Sequence, residues 1–356
     1  MRNLYIGLGA ALGAVILVIG IFVFRLYMDF NQFTTLWPNP VGACTDVATV
    51  AGPEDVVVDH DTGLVYTSAY DRRTFRAGTP VRGALQRFDL NDLTKPAVDV
   101  APATPADFKP HGISLYTGPD GQKRLFVINH PNAGGHVIEI FDVAANGDLT
   151  HADSITGDFI ITPNDVHAVG PRQFYVSNDH ANETGWARQM EDYFRQDKTS
   201  IAYFDGEASR IVADGLTFAN GINGSPDGSK IYVTETTDMM VRFYERDIDT
   251  GDLTLQQQVP ITSGLDNIDV HPDGSLWIGA HPKLIDFQSY ASGSADISPS
   301  QVIKLEPQGE RGGEVKEIYL DLGEQISGSS VGARWQDKLI IGSVFEEKVL
   351  VCDLER

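Results

Sequence analysis

Short segments of alternating apolar and polar residues dominate the chain after residue 43. One phrase recurs six times: a polar residue or pair leads into alternating aliphatic residues, then a glycine-containing turn, then a second aliphatic or aromatic run. Period-2 alternation bounded by turn residues is typical of β-strands. The leading residues of the six copies, in chain order, are Glu54 with Asp55, His111, Asn164 with Asp165, Asn220, Asp266 with Asn267, and Ser329 with Ser330.

The spacing of these copies indicates the architecture. The leading residues lie about 45 to 65 residues apart, as expected for one four-stranded propeller blade. Further period-2 segments, beginning at residues 83, 136, 200, 240 and 302, supply the middle strands of blades. The pattern therefore predicts an all-β fold, a six-bladed β-propeller with a central channel.

One segment breaks the strand pattern. In 182–198, Trp186, Met190, Tyr193 and Phe194 recur at helical spacing, which predicts a short amphipathic helix inserted between blades. Such a helix could pack on the propeller, cover a binding site as a lid, or dip into a membrane surface.

A long apolar run occupies the N-terminus. Leu4 to Phe24 is almost unbroken, with about the twenty residues that a membrane-spanning helix needs. No small-residue cleavage site follows it, which favours a retained anchor over a cleaved signal peptide. Arg2 precedes the run and the next basic residue after Arg25 is Arg72, so the charge distribution favours a cytoplasmic N-terminus. We expect an anchor at 1–28, a linker at 29–43 and the propeller at 44–356, facing the periplasm or the extracellular space.

The composition limits the kinds of partner that the folded part can bind. The net charge of −22 argues against nucleic acid as a partner of the folded part. The two cysteines, Cys44 and Cys352, flank the predicted propeller and are either two buried thiols or a disulfide. An exported domain favours the disulfide, which would restrict the unfolded chain by about 5 kcal/mol at most.

The polar residues that lead the repeats predict a metal site. The innermost strands of a propeller begin at one end of the central channel, so carboxylates and amides from several blades would converge there. Clustered carboxylates must take up protons or bind a cation, and oxygen donors without cysteine favour Ca²⁺. Consecutive residues such as Glu54 and Asp55 point to opposite faces of a strand, which makes two ions plausible.

The motifs around these residues are specific. They are PED at 53–55, KPHGIS at 109–114, VINHP at 127–131, SNDH at 177–180, FANGIN at 218–223, LWIGAHP at 276–282 and IGSVF at 341–345. Through these motifs the chain resembles the paraoxonase family of calcium-dependent lactonases and arylesterases over nearly all of 44–352.

The resemblance implies a set of roles. It implies a Cys44–Cys352 bond, a retained N-terminal anchor and a His111–His130 dyad beside a catalytic calcium ion. A second, structural calcium ion would be held by Asp55, Asp165 and the backbone carbonyl of Ile113. The implied ligands of the catalytic ion are Glu54, Asn164, Asn220, Asp266 and Asn267.

The chemistry that follows is metal-assisted ester hydrolysis. A calcium ion with an open position can act as a Lewis acid on a carbonyl group. His111 is the candidate base, with His130 accepting or relaying its proton, and Glu54 is the competing base or nucleophile. The sequence offers no strand-to-helix nucleophile elbow and no histidine-rich cluster, which counts against a serine or zinc hydrolase. The candidate wall residues of the substrate pocket are His180, Phe218, His281, Val344 and Phe345.

Three functions remain open at this stage. The first is calcium-dependent hydrolysis of lactones and aryl esters, with phosphotriesters as secondary substrates. The second is a non-catalytic binding propeller that calcium merely rigidifies, because the fold alone does not fix function. The third is a sugar-lactone hydrolase of the same architecture, which predicts a polar pocket.

Overall fold

Six antiparallel sheets surround a central axis. The computed structural model describes residues 2–132, 134–308 and 312–354, and within them 24 strands form six four-stranded sheets. The first strands of neighbouring sheets contact one another around a closed ring. The predicted six-bladed propeller is therefore confirmed, with each sheet forming one blade.

The strand order is regular in every blade. The sequence segments predicted as middle strands form the third strand of the first five blades. The first blade contains β2 (Pro53–Asp59), β3 (Leu64–Ala69), β4 (Ala84–Asp89) and β5 (Val98–Asp99). The second contains β6 (Pro110–Thr117), β7 (Lys123–Asn129), β8 (Val137–Val143) and β9 (Leu149–Ile155). The third contains β10 (Pro163–Ala168), β11 (Phe174–Asn178), β12 (Thr199–Phe204) and β13 (Ser209–Leu216).

The remaining blades complete the ring. The fourth contains β14 (Ala219–Gly224), β15 (Lys230–Glu235), β16 (Met240–Arg246) and β17 (Leu253–Pro260). The fifth contains β18 (Gly264–Val270), β19 (Leu276–His281), β20 (Ser300–Glu306) and β21 (Glu314–Asp321). The sixth contains β22 (Ser329–Trp335), β23 (Lys338–Ser343) and β24 (Lys348–Asp353), with β1 (Cys44–Ala48) as its outer strand.

The two ends of the propeller are joined in the sixth blade. Strand β1 pairs antiparallel with β24, so the N-terminal strand completes a sheet made from the C-terminal strands. Cys44 lies opposite Cys352 in this pairing, and their sulfur atoms form the disulfide. The bond confirms the expected pairing and closes a loop with a sequence separation of 308 residues.

The hydrophobic core lies between the blades. Six apolar clusters each combine residues from two adjacent blades. Strand alternation explains this division: Val56 and Val58 pack toward the sixth blade, whereas Val57 packs toward the second. Both faces of each blade are buried in this way, and the polar residues are left to the strand ends and the rim.

The helical prediction needs two corrections. The helix expected over 182–198 is α3 (Gly185–Phe194), and it lies inside the third blade between β11 and β12, not between blades. Two helices were not anticipated, α2 (Arg72–Arg76) and α4 (Leu284–Ala291), because they are too short for a clear period. All three connect a second strand to a third, which places them at the end of the propeller where the first strands begin.

The apolar face of α3 is not packed against the propeller. Trp186 is 75% exposed and Phe194 is 50% exposed, whereas Glu191 is buried and accepts a hydrogen bond from the backbone N–H of Ala181. The ring of Phe194 lies 5.0 Å from that of Phe22 in the N-terminal helix. The helix therefore turns its polar side inward and its apolar side outward.

The N-terminal apolar run forms one long helix, α1 (Arg2–Asp29). Its segment Ala11–Asp29 has a mean hydropathy of 2.3 and is long and apolar enough to cross a membrane. None of that segment is buried against the protein. Immediately after the helix, Phe30 packs against Met239 and Leu284, and Asn31 donates a hydrogen bond to the carbonyl of Pro282. The helix thus joins the propeller at the end that carries α2, α3 and α4.

The disulfide gives a stability prediction. We expect the double variant Cys44→Ser/Cys352→Ser to lose up to about 5 kcal/mol of unfolding free energy, because the bond restricts an unfolded loop of almost the whole propeller. Urea unfolding of the full chain in detergent measures the loss. Dithiothreitol should leave the unfolding midpoint of the double variant unchanged. It should lower the midpoint of the wild type toward that of the variant. Equal unfolding midpoints for variant and wild type would contradict the prediction.

Candidate functional site

Every first strand begins with an irregularity in its pairing to the second strand. In β2 the register shifts between Pro53 and Asp55, and the other five first strands show the same interruption near their starts. A bulge leaves a residue outside the ladder and re-aims its side chain. The predicted ligands and base that fall within these interruptions are Glu54, His111, Asn164, Asn220, Asp266 and Asn267.

Two glycines let neighbouring first strands approach at these bulges. A Cβ atom on Gly112 would lie 2.5 Å from the Cα of Asp165, and one on Gly221 would lie 2.7 Å from the Cα of Asn267. Neither distance is compatible with a side chain. These glycines directly follow His111 and Asn220, so the close contact draws the predicted site residues of adjacent blades together.

Three buried asparagine side chains each form a hydrogen bond through the amide nitrogen and leave the amide oxygen unpaired within the described residues. Asn164, Asn220 and Asn267 donate from Nδ2 to Asp179 Oδ2 (3.4 Å), Thr236 Oγ1 (3.0 Å) and Glu54 Oε1 (3.2 Å), respectively. The Oδ1 atoms of all three are buried and have no hydrogen-bond partner within the described part of the chain. A buried carbonyl oxygen left unpaired costs free energy, about 1 to 3 kcal/mol each. The three oxygens therefore require an electropositive partner.

The donor set fits a hard cation. Glu54 and Asp266, both buried, line one cavity with Asn164 and Asn220. Over residues 2–132, 134–308 and 312–354, no three or more His, Cys, Asp or Glu side chains are grouped for a metal ion. That grouping omits asparagine, however, and two carboxylates with three amide oxygens make the oxygen-only set that calcium prefers.

Glu54 is the most heavily engaged of these groups. Its Oε2 atom lies 3.1 Å from Arg72 Nη2 and 3.1 Å from His111 Nε2, and its Oε1 accepts from Asn267. Burial alone would raise the pKa of Glu54, but His111 and Arg72 outweigh it and lower the pKa to about 2. Sequence analysis missed Arg72, although it lies just after β3, whose C-terminal end reaches the same end of the channel.

Asp55 and Asp165 lie beside the main group. Each carboxylate accepts a hydrogen bond from the next first strand: Asp55 from the N–H of Ile113 at 2.7 Å, and Asp165 from the N–H of Ile222 at 2.8 Å. Burial raises the pKa of Asp55 well above its ordinary value, and the charges of Asp165 and Glu54 raise it further. Burial likewise raises the pKa of Asp165. A divalent cation between the two carboxylates would offset the free-energy cost of burying their charges.

Three histidines form a hydrogen-bonded line. His111 Nδ1 lies 3.0 Å from His130 Nε2, and His130 Nδ1 lies 2.7 Å from His136 Nδ1. Burial, together with the two neighbouring rings, lowers the pKa of His130 well below its ordinary value. The predicted pair His111 and His130 is thus in contact, and sequence analysis did not assign His136 to it. The only signal was that His136 immediately precedes β8, whose start lies at the same end of the blade.

Two further histidines pair with acids. His281 Nε2 lies 3.0 Å from Asp266 Oδ2; burial raises the pKa of Asp266, and His281 opposes the shift. His180 lies between Asp179 (2.7 Å) and Asp192 (2.9 Å). Burial lowers the pKa of His180, but its bonds to the two acids prevail and raise the pKa to about 9.

These groups open into a cavity of about 440 Å³. Of the predicted wall residues, Phe218, His281 and Val344 line it, whereas His180 and Phe345 lie one layer behind, against Phe218 and Tyr290. Phe218 has a φ of 51°, a left-handed conformation that is costly for a side chain of this size. The lining also includes residues that sequence analysis did not assign: Tyr70, Arg72, Arg76, His136, Asp179, Glu183, Arg188, Thr236 and Phe287.

Comparison with known proteins identifies the family. The family model described as Arylesterase matches residues 75–354. Serum paraoxonase/arylesterase 1 of Rattus norvegicus is 31% identical over 337 residues, covering 91% of this chain and 92% of the relative. Serum paraoxonase/arylesterase 1 of Homo sapiens is 30% identical over 360 residues, covering 95% of this chain and 98% of the relative.

Solved structures agree on the fold. A luciferin-regenerating enzyme superposes with a TM-score of 0.55 at 13% identity, covering 87% of this chain and 94% of that one. At this identity the likeness concerns the fold alone. The family model and the two relatives show that the chain belongs to the arylesterase family of the serum paraoxonases.

Proposed function

We propose that this protein is a calcium-dependent hydrolase of lactones and aryl esters, with phosphotriesters as secondary substrates. The observation that carries the proposal is the set of three buried, unpaired asparagine oxygens beside Glu54 and Asp266, since four of these five residues line one cavity. Membership of a calcium-dependent family of ester hydrolases supports it. The proposed ligands of the catalytic ion are Glu54, Asn164, Asn220, Asp266 and Asn267.

The calcium ion and the protein side chains would have separate roles in the reaction. A calcium ion held there would polarise the substrate carbonyl group and stabilise the negative charge that develops on its oxygen. His111 removes a proton from the attacking water, and His130 accepts or relays a proton from His111 Nδ1. Phe218, Val344 and Phe287 hold the apolar part of the substrate and limit water access.

The contacts favour His111 over Glu54 as the base. Both oxygens of Glu54 are already engaged, Oε2 by Arg72 and Oε1 by Asn267, which weakens Glu54 as a proton acceptor. His111, by contrast, has a ring nitrogen at the cavity and a second nitrogen bonded to His130. We therefore propose His111 as base and Glu54 as a calcium ligand.

A second calcium ion is proposed between the blades. Asp55 and Asp165 are both buried, and each links its own first strand to the next. An ion held by these carboxylates and the carbonyl of Ile113 would tie blades one, two and three together at the channel. Its role would be structural, because neither carboxylate lines the cavity.

The apolar walls favour alkyl and aryl substrates over sugars. Phe218, Phe287 and Val344 form an apolar part of the cavity wall that can hold an alkyl or aryl group, while polar residues such as Asp179 and Arg188 line the rest. The binding-propeller alternative accounts for the calcium ligands, but it gives no role to the bonded histidines that open to the cavity.

We also propose a membrane-anchored location. Residues 1–28 would form the anchor, 29–43 the linker and 44–356 the catalytic propeller, in the periplasm or outside the cell. The exposed apolar span and the disulfide both suit an exported, anchored protein. Since α1 joins the propeller at the cavity end, the cavity would open close to the bilayer surface.

Chelation tests the metal dependence. The full chain in detergent should hydrolyse phenyl acetate and alkyl lactones, lose this activity in EGTA and regain it on addition of Ca²⁺. A sugar lactone should be hydrolysed poorly because the walls are apolar. Product formation is measured for the whole panel. Folded, calcium-loaded protein that is inert toward every substrate would favour the binding propeller instead.

Two substitutions separate the base from a ligand. His111→Gln should lower kcat by about 10²-fold or more with little change in calcium affinity, because it removes the base but no calcium ligand. Asn267→Ala should weaken calcium binding about tenfold or more, because it removes an oxygen donor. Steady-state kinetics and calcium titration calorimetry measure the two effects. Full kcat in His111→Gln would transfer the role of base to Glu54.

Deleting the anchor tests the location. Removal of residues 1–28 should move the protein from the membrane fraction to the soluble fraction, because α1 carries the spanning segment. Activity of the released protein reports that it still folds. The full chain in spheroplasts, whose outer membrane has been opened, should expose the propeller to added protease. Cleavage of the propeller only after lysis would reverse the proposed orientation.

A further inference from the structure

A continuous line of polar groups runs from the proposed calcium site to the protein surface. It begins at the buried Glu54, passes through His111, His130 and His136, and points at Glu183 on the loop before α3. The side chain of Glu54 is 4% exposed, that of His136 is 19% exposed and that of Glu183 is 61% exposed. The line therefore runs from a buried carboxylate to a solvent-exposed one.

The outermost ring nitrogen lacks a hydrogen-bond partner. His136 Nε2 is buried and makes no hydrogen bond to a described residue, although it lies 3.6 Å from Glu183 Oε1. That separation is too long for a hydrogen bond, but a small movement of the exposed Glu183 side chain or one water molecule would close it. His136 is thus bonded on its inner side only.

The nitrogen pairing allows two consistent tautomeric patterns. In one, the three rings carry their protons on Nδ1 of His111, Nδ1 of His130 and Nε2 of His136, which leaves Nε2 of His111 unprotonated, so that it accepts from water instead of donating to Glu54 Oε2. In the other, the protons lie on Nε2 of His111, Nε2 of His130 and Nδ1 of His136. The two patterns differ only by shifting each proton one position along the line.

We propose that His136 is a positioning residue of the hydrolase, the outer member of a three-histidine proton relay that fixes the tautomer of His130 and exchanges protons with solvent beside Glu183. The inference rests on the proposed function, with His111 as base. It adds a residue to the reaction and an exit for its proton.

The relay balances over one turnover. As water attacks, its oxygen bonds to the carbonyl carbon and its proton passes to His111 Nε2; protons then pass from His111 Nδ1 to His130 Nε2 and from His130 Nδ1 to His136 Nδ1. His136 releases its Nε2 proton to Glu183 or water. When the leaving oxygen departs, it takes the proton from His111 Nε2, and the shifts reverse with a proton from solvent. The carboxylic acid formed in this way then loses its proton to solvent, so the net products are the carboxylate, the alcohol and one proton.

Burial favours the neutral form of the two outer rings, His130 and His136. Burial lowers the pKa of His136, and the charges of Glu183 and Asp179 oppose the shift only in part, while Arg188 adds to it. Burial also lowers the pKa of His130. Neutral imidazoles can each donate on one side and accept on the other, which the relay requires.

Substitution at His136 tests the relay. His136→Asn keeps a hydrogen-bonding group beside His130 but cannot transfer a proton through a ring, and His136→Ala leaves space for added imidazole. Both should lower kcat for a lactone about tenfold or more with KM within about twofold, and imidazole should restore His136→Ala. The matched control is His151→Asn in the same blade, since His151 also bonds a carboxylate, that of Glu139, but lies away from the cavity.

A measurement without substrate separates this inference from the proposed function. In the full chain with ¹⁵N-labelled histidine, NMR should show an exchange-protected imidazole N–H between His130 and His136 that disappears in His136→Asn and persists in His151→Asn. Wild-type kcat in His136→Asn, or a failure of imidazole to restore His136→Ala, would overturn the relay. Wild-type protein that is inert toward all substrates would overturn the proposed function, and the NMR signal would still decide whether the histidine line exists.

Discussion

Closing six first strands into a ring forces their polar ends together, and the rest of the site depends on this constraint. Each first strand begins with a bulge, so the residues there are released from the ladder and turn toward the channel. Buried carboxylates and amide oxygens then meet without enough protein donors to satisfy them. The pKa of Asp55 is raised and the oxygen of Asn267 lies unpaired, two expressions of the same shortage of positive charge.

The protein supplies part of that charge itself. Arg72 enters from α2 and bonds Glu54, and His281 bonds Asp266. These partners leave the asparagine oxygens untouched, since they reach only the carboxylates. A buried network that is only partly satisfied is expensive, which is the physical reason for assigning the remaining space to a cation. The proposed catalytic calcium ion would therefore link the blades that supply its ligands and also act as the Lewis acid of the reaction.

The proposed active site and the apolar N-terminal helix lie at the same end of the propeller because of strand topology. In each four-stranded meander the first strand starts, and the second strand ends, at the same end. The connections that carry α2, α3 and α4 therefore lie around the cavity, and α1 joins the propeller there through Phe30. The exposed Trp186 and the apolar span of α1 lie on the same side. Such a placement would favour substrates that partition into a membrane.

The sequence by itself determined the blade number, the apolar helix, the disulfide candidates and the residues that lead each repeat, because alternation, length and spacing are local properties. The family motifs added the grouping of Asn164, Asn220 and Asn267, which the structure brings together. Only the tertiary structure decided which further residues join them. Arg72 and His136 lie in a connection and just before a third strand, positions with no periodic signal. Their proximity to Glu54 and His130 arises only when the blades close into a ring, because that closure brings residues from separate blades and connections within hydrogen-bonding distance.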